Sequence, residues 1–226
     1  ANTDQGYNIA IGNSALGANT TGYSNIAIGM ETMVNNTDGN NNIAIGEGSL
    51  YTNTLGGSNV ALGVGTLQFN TDGANNTAIG TDALQLNVTG YNNTAVGTSA
   101  LNANQYGTHN TAVGMQAISD NIEGIENTAV GYDALSSTNS ASGNTAVGYQ
   151  AATTLYRSNL MAPWADYNTA VGHNSLATCQ SGAYNTAIGA SALLVSTVGE
   201  STAVGFEAMK DNSTGLNNTA LGAHAG

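Results

Sequence analysis

The sequence predicts an all-β protein, a parallel β-solenoid of about thirteen turns of 17 residues, and three observations carry that prediction. The run Asn-Thr-Ala-Val-Gly at Asn93–Gly97 recurs along the whole chain. Its closing glycines fall at Gly12, Gly29, Gly46, Gly63, Gly80, Gly97, Gly114, Gly131 and Gly148, 17 residues apart, and resume at Gly172, Gly189, Gly205 and Gly222. Between them the unit reads Gly-x-x-Ala-Leu-x-x-Asn-x-x-Gly-x-x-Asn-Thr-Ala-Val. A fixed short period is the signature of a solenoid, in which each copy contacts only its neighbours.

Each part of the unit has a local reading. Seventeen residues are too few for a two-helix repeat, and Gly, Asn and β-branched residues are poor helix formers. Asn-Thr-Ala-Val alternates with period two, as a strand does, so Thr and Val share one face and Asn and Ala the other. Ala-Leu-x-x-Asn is expected to form a second extended stretch, with glycine turns at both corners. Stacked coils lie about 4.8 Å apart, so thirteen turns would rise roughly 60 Å.

Stacking places like residues in columns. Val96, Val113, Val130 and Val147 continue Ile11, Ile28, Ile45, Leu62 and Ile79, and Thr77, Thr94, Thr111, Thr128 and Thr145 follow Ile9, Ile26, Ile43 and Val60. With the leucine column (Leu16, Leu50, Leu67, Leu84, Leu101, Leu135, Leu176, Leu193) these are expected to fill the coil interior. The opposite face is alanine throughout, at Ala27, Ala44, Ala61, Ala78, Ala95, Ala112 and Ala129. It is expected to face outward and pack a second or third chain, the alternative being that alanine simply suits a narrow coil. Two asparagine columns, one at Asn25, Asn42, Asn59, Asn76 and Asn93 and one at Asn19, Asn36, Asn53, Asn70 and Asn87, are expected to hydrogen-bond along the stack.

Composition narrows the function classes. The chain carries two basic residues against fourteen acids, a net charge of −12. Without a basic patch, nucleic-acid binding and docking to anionic lipid are not expected. Apolar residues make up 41% and are placed periodically, which favours order over disorder. No apolar run is long enough to span a membrane, so no membrane insertion is expected. The single cysteine, Cys179, excludes an intrachain disulfide and is read as structural, since it falls in an asparagine column.

Catalytic and metal signals are sparse. His109, His173 and His224 fall at different phases of the repeat, so neither a shared metal site nor a triad is supported. Asp38 and Asp72 share one phase and Asp120 and Asp211 another, which leaves room for structural Ca²⁺, but no calcium-loop pattern is present. No cofactor is expected. No carboxylate pair suited to sugar cleavage is identifiable, and an enzyme is not expected.

The chain reads as a single repeat domain over 1–226, broken by an inserted loop at about 153–167. Tyr156, Arg157, Met161, Pro163, Trp164 and Tyr167 gather there, residue types enriched in interaction hot spots, and are the candidate contact surface for a neighbouring chain or a receptor, the alternative being a tolerated insertion whose aromatics fold back over the coil. Joining the last residues to the first completes one repeat. That fits a segment of a longer fibre, or subunits stacking head to tail.

The pattern Asn-Thr-Ala-Val/Ile-Gly-x-x-Ala-Leu resembles the head repeats of trimeric autotransporter adhesins of the YadA type, and similar 17-residue runs occur in bacteriophage tail fibres. The resemblance covers essentially the whole chain, although the adhesin head repeat is typically shorter. It implies a left-handed β-roll, three chains around one axis, an extracellular, cell-surface or virion location, and a binding or spacer role. The function expected is therefore a non-enzymatic attachment or spacer segment of a fibre or adhesin, with itself and a cell-surface glycan or protein receptor as partners. The alternatives are an extracellular filament built head to tail and, less favoured, an ice-binding solenoid, for which the Ile and Val residues in the threonine column are unsuitable.

Overall fold

The computed structural model describes residues 6–155, 165–179, 182–196 and 199–226, and among them there is no helix. The chain divides into two compact units, Ala1–Asn110 and Thr111–Gly226. Each is a parallel β-solenoid.

In the first unit, β1 (Ile9–Ile11), β2 (Ile26–Ile28), β3 (Ile43–Ile45), β4 (Val60–Leu62), β5 (Thr77–Ile79) and β6 (Thr94–Val96) pair in chain order. All pairs are parallel and in register, so Ala44 lies beside Ala61 and Ile79 beside Val96. The second unit repeats the pattern with β7 (Thr111–Val113), β8 (Thr128–Val130), β9 (Thr145–Val147), β11 (Thr169–Val171), β13 (Thr186–Ile188), β15 (Thr202–Val204) and β16 (Thr219–Leu221). The insertion does not disturb the register, for Ala146 still pairs with Ala170 across a step of 24 residues. One later turn is a residue short, and Ala187 still pairs with Ala203.

The alternation predicted for the strand is present, but its two faces are reversed. Ala27, Ala44, Ala61, Ala78, Ala95, Ala112 and Ala129 are 0% exposed and line the inside of the coil. They are not a surface on which another chain could pack. The neighbouring Thr and Val or Ile residues point out, as the alternating intermediate–buried–exposed pattern of β7, β8 and β9 records. The reason is room. A 17-residue coil also encloses the leucine column, both asparagine columns and a small residue such as Ala83 or Thr66, all fully buried. What remains opposite them admits a methyl group and excludes a β-branched side chain.

Left-handed residues turn the corners. Asp82, Leu84 and Asn92 have φ of 56°, 51° and 57°, and equivalent residues recur around the stack. A bulky leucine at positive φ is strained by about 1–2 kcal/mol. Burial of the whole side chain, worth about 1.5–3 kcal/mol, offsets that strain, and Leu84 N–H is also held by Ala100 O at 2.9 Å. The repeat glycine closes the strand at a φ only glycine adopts readily, +136° at Gly131, where a Cβ would stand 2.4 Å from Gly148 O.

The expected second strand is absent from the first unit, where Ala-Leu-x-x-Asn forms a turn: Asn70 N–H donates to Leu67 O at 3.1 Å. The second unit differs. Three short strands, β10 (Thr154–Leu155), β12 (Thr178–Cys179) and β14 (Val195–Ser196), form a separate parallel sheet there. Each ends on a residue standing where the first unit has asparagine. The amide that closes the turn is missing, and the backbone bonds to the adjacent coil instead.

The asparagines form two buried ladders. In one, Asn59 Oδ1 accepts the backbone N–H of Asn76 at 3.0 Å, while Asn59 Nδ2 donates to Gly73 O at 2.8 Å. In the other, Asn70 Nδ2 donates to Asn53 Oδ1 at 2.7 Å and to the same Gly73 O at 3.0 Å. The glycine carbonyl thus joins both ladders. A Cβ on Gly73 would lie 2.3 Å from Asn70 Oδ1, so glycine is needed there for space.

Three outcomes follow from this packing. Ala129→Val inserts bulk into a full coil and should cost about 1–3 kcal/mol, whereas Thr128→Val, the same side chain one residue away on the outer face, should change stability by less than about 0.5 kcal/mol. Asn70→Ala removes two bonds and leaves the Asn87 amide without its 2.7 Å acceptor, and should cost about 2–4 kcal/mol. Urea unfolding followed by circular dichroism measures all three.

Candidate interaction surface

The outer face of each sheet carries the strand side chains that do not enter the coil. In the second unit it presents two parallel columns, Thr111, Thr128, Thr145, Thr169, Thr186, Thr202 and Thr219 beside Val113, Val130, Val147, Val171, Ile188, Val204 and Leu221. Val113, Val130, Val147 and Ile188 are 37–40% exposed, and with the half-buried Val171 and Val204 they form an apolar stripe along the sheet. In the first unit the corresponding face carries Ile26, Ile43 and Val60 in the place of threonine. Monomeric proteins seldom leave so continuous an apolar strip in water.

Of the candidate contact residues, Tyr156, Arg157, Met161, Pro163 and Trp164 lie outside the described residues. Tyr167 is described and exposed. Its ring stacks on Tyr184 with centroids 5.4 Å apart and planes 8° apart. It also lies against Gly143, where a Cβ would come within 2.6 Å of the ring.

The three histidines occupy different environments. His109 meets Tyr91 edge-on at 5.4 Å. His173 stacks on Tyr149 at 5.3 Å. His224 Nδ1 lies 3.3 Å from Glu207 Oε2, while Lys210 Nζ donates to Glu207 Oε1 at 2.9 Å. The lysine hydrogen bond holds the Glu207 carboxyl below the usual carboxylate range, and the same bond raises Lys210. An exposed pair of this kind adds little to stability. Among the described residues no three His, Cys, Asp or Glu side chains gather as a metal site would require. Asp38 accepts hydrogen bonds from Thr20 and Thr21 of the preceding turn. Cys179 is buried and its Sγ lies 3.3 Å from Gly182 O, the same three-residue contact that Asn70 makes with Gly73. It therefore takes over the asparagine's place in the coil.

A feature the sequence reading missed is a row of stacked rings, Tyr132 on Tyr149 at 5.2 Å and Tyr149 on His173 at 5.3 Å, with planes 14° and 7° apart. All three residues immediately follow a repeat glycine, so the shared phase was present in the sequence. Only axial stacking turns that phase into ring contact.

No protein-family model matches the chain, and neither does any curated protein or solved structure.

Proposed function

We propose that the chain is a non-enzymatic structural segment of an extracellular fibre, of the phage tail-fibre or trimeric-adhesin kind, in which three left-handed coils pack side by side through the outer faces of their sheets. The observation that carries this reading is the outward Val/Ile stripe. It is apolar, and it is repeated at every turn of each unit. Three such faces meeting along a common axis would withdraw the stripe from water, each square ångström contributing about 25 cal/mol. Threonine beside it supplies hydroxyls able to bond between chains, and the low charge of the chain keeps repulsion on this face small. An end-to-end filament would instead use the edges of the terminal coils and leave the stripe bare.

Native mass spectrometry of the purified chain should give a discrete trimer. The double variant Val130→Asp, Val147→Asp should dissociate it into folded monomers with an unchanged far-ultraviolet spectrum, because both side chains stand outside the coil. A wild-type chain that remains monomeric at micromolar concentration would sink the proposal.

A second reading, ice binding, is favoured by one observation. In the second unit threonine occupies its column without interruption from Thr111 to Thr219 and faces out, so regularly spaced hydroxyls and methyls line that face. That reading predicts thermal hysteresis in a freezing assay, abolished by Thr145→Asp. With the face covered in a trimer, no hysteresis is expected.

A further inference from the structure

The ring row in the second unit has a gap, and we propose that the gap is a binding slot for one pyranose ring of a neutral sugar. The residue after the repeat glycine is Tyr132, Tyr149 and His173 in three successive turns, then Ala190, then Phe206. The backbone of this column is continuous: Asn174 N–H donates to Tyr149 O at 3.0 Å, Ser191 N–H to His173 O at 2.9 Å, and Glu207 N–H to Ala190 O at 2.9 Å. Ala190 is therefore in line with the rings and contributes only a methyl.

One face of the His173 imidazole is taken by Tyr149, with planes 7° apart. Its other face points along the stack toward the level of Ala190. Phe206, half exposed, stands one turn further and is braced by His224, edge to face at 5.2 Å. The backbones of His173 and Phe206 are thus two coil spacings apart, about 9.6 Å. A flat aromatic ring touching both walls at van der Waals distance needs about 7–8 Å. The surplus suits a thicker, puckered ring carrying hydrogens on both faces, which is what a pyranose offers to aromatic walls. Asn174 and Ser191, in the adjoining column, supply an amide and a hydroxyl for the sugar hydroxyls. The acidic balance of the chain disfavours anionic sugars. This slot lies at the corner after the strand and does not rest on the trimer reading.

The test uses the assembled protein titrated with methyl β-glucopyranoside, methyl β-galactopyranoside and N-acetylglucosamine, following the side-chain ring resonances of His173 and Phe206 by NMR. Saturable shifts at both rings, with a millimolar dissociation constant, are expected for at least one sugar. Ala190→Phe fills the slot and should abolish the shifts. It should still fold, since Tyr and Phe occupy the same column in neighbouring turns. Phe206→Ala removes one wall and should weaken binding by roughly tenfold or more, whereas Ala190→Ser should leave it intact. The proposal is overturned if no sugar moves the two rings, if Ala190→Phe responds as the wild type does, or if p-cresol saturates the slot and the sugars do not. The last result would mark it as a seat for an aromatic side chain of a protein partner.

Discussion

Buried asparagine sets the terms on which each coil closes. An amide placed in a coil this narrow must bond every donor and acceptor or cost several kcal/mol. The stack answers by bonding each amide to its equivalent in the next turn and to a glycine carbonyl shared by both ladders, as at Gly73. The bond geometry is met only when consecutive turns are in register, so the ladder enforces the period that the sequence displays. It also explains the second glycine of the repeat, whose missing Cβ leaves space for the Asn70 amide oxygen.

That constraint governs which side of the strand faces in. Hydrophobicity alone would send Val and Ile to the interior and leave alanine outside. Volume decides otherwise, because two amides and a leucine already fill most of each coil. Placing the larger β-branched residues outside leaves an apolar face in water, and this is what supports the proposed side-by-side assembly. The inversion therefore moves the expected packing surface from the alanine column to the valine column without changing the expectation that chains pack.

Where the second ladder loses its asparagines, the coil answers locally. Leu155 and Ser196 lack the side-chain amide by which Asn70 reaches Gly73 O, Cys179 keeps only a thiol contact to Gly182 O, and the chain there extends into β10, β12 and β14. At Asn212 the turn returns, with its N–H on Met209 O at 3.2 Å and its amide on Gly215 O at 3.1 Å. Thr138, which also replaces an asparagine, leaves a buried hydroxyl with no partner among the described residues. The solenoid tolerates these losses because each coil bonds to its neighbours along its other columns.

The period, the strand, its alternation and the columns were all legible in the sequence, because a 17-residue identity repeated along the chain leaves no other way to stack like on like. The structural role of Cys179 was legible as well, from its phase. The inner and outer faces were not, because they depend on how much space the turns leave inside the coil, a three-dimensional quantity. Nor was the ring row of Tyr132, Tyr149 and His173, or the open level at Ala190. Those contacts exist only once the backbone of successive turns is brought to one spacing, and that spacing is a property of hydrogen bonds between coils.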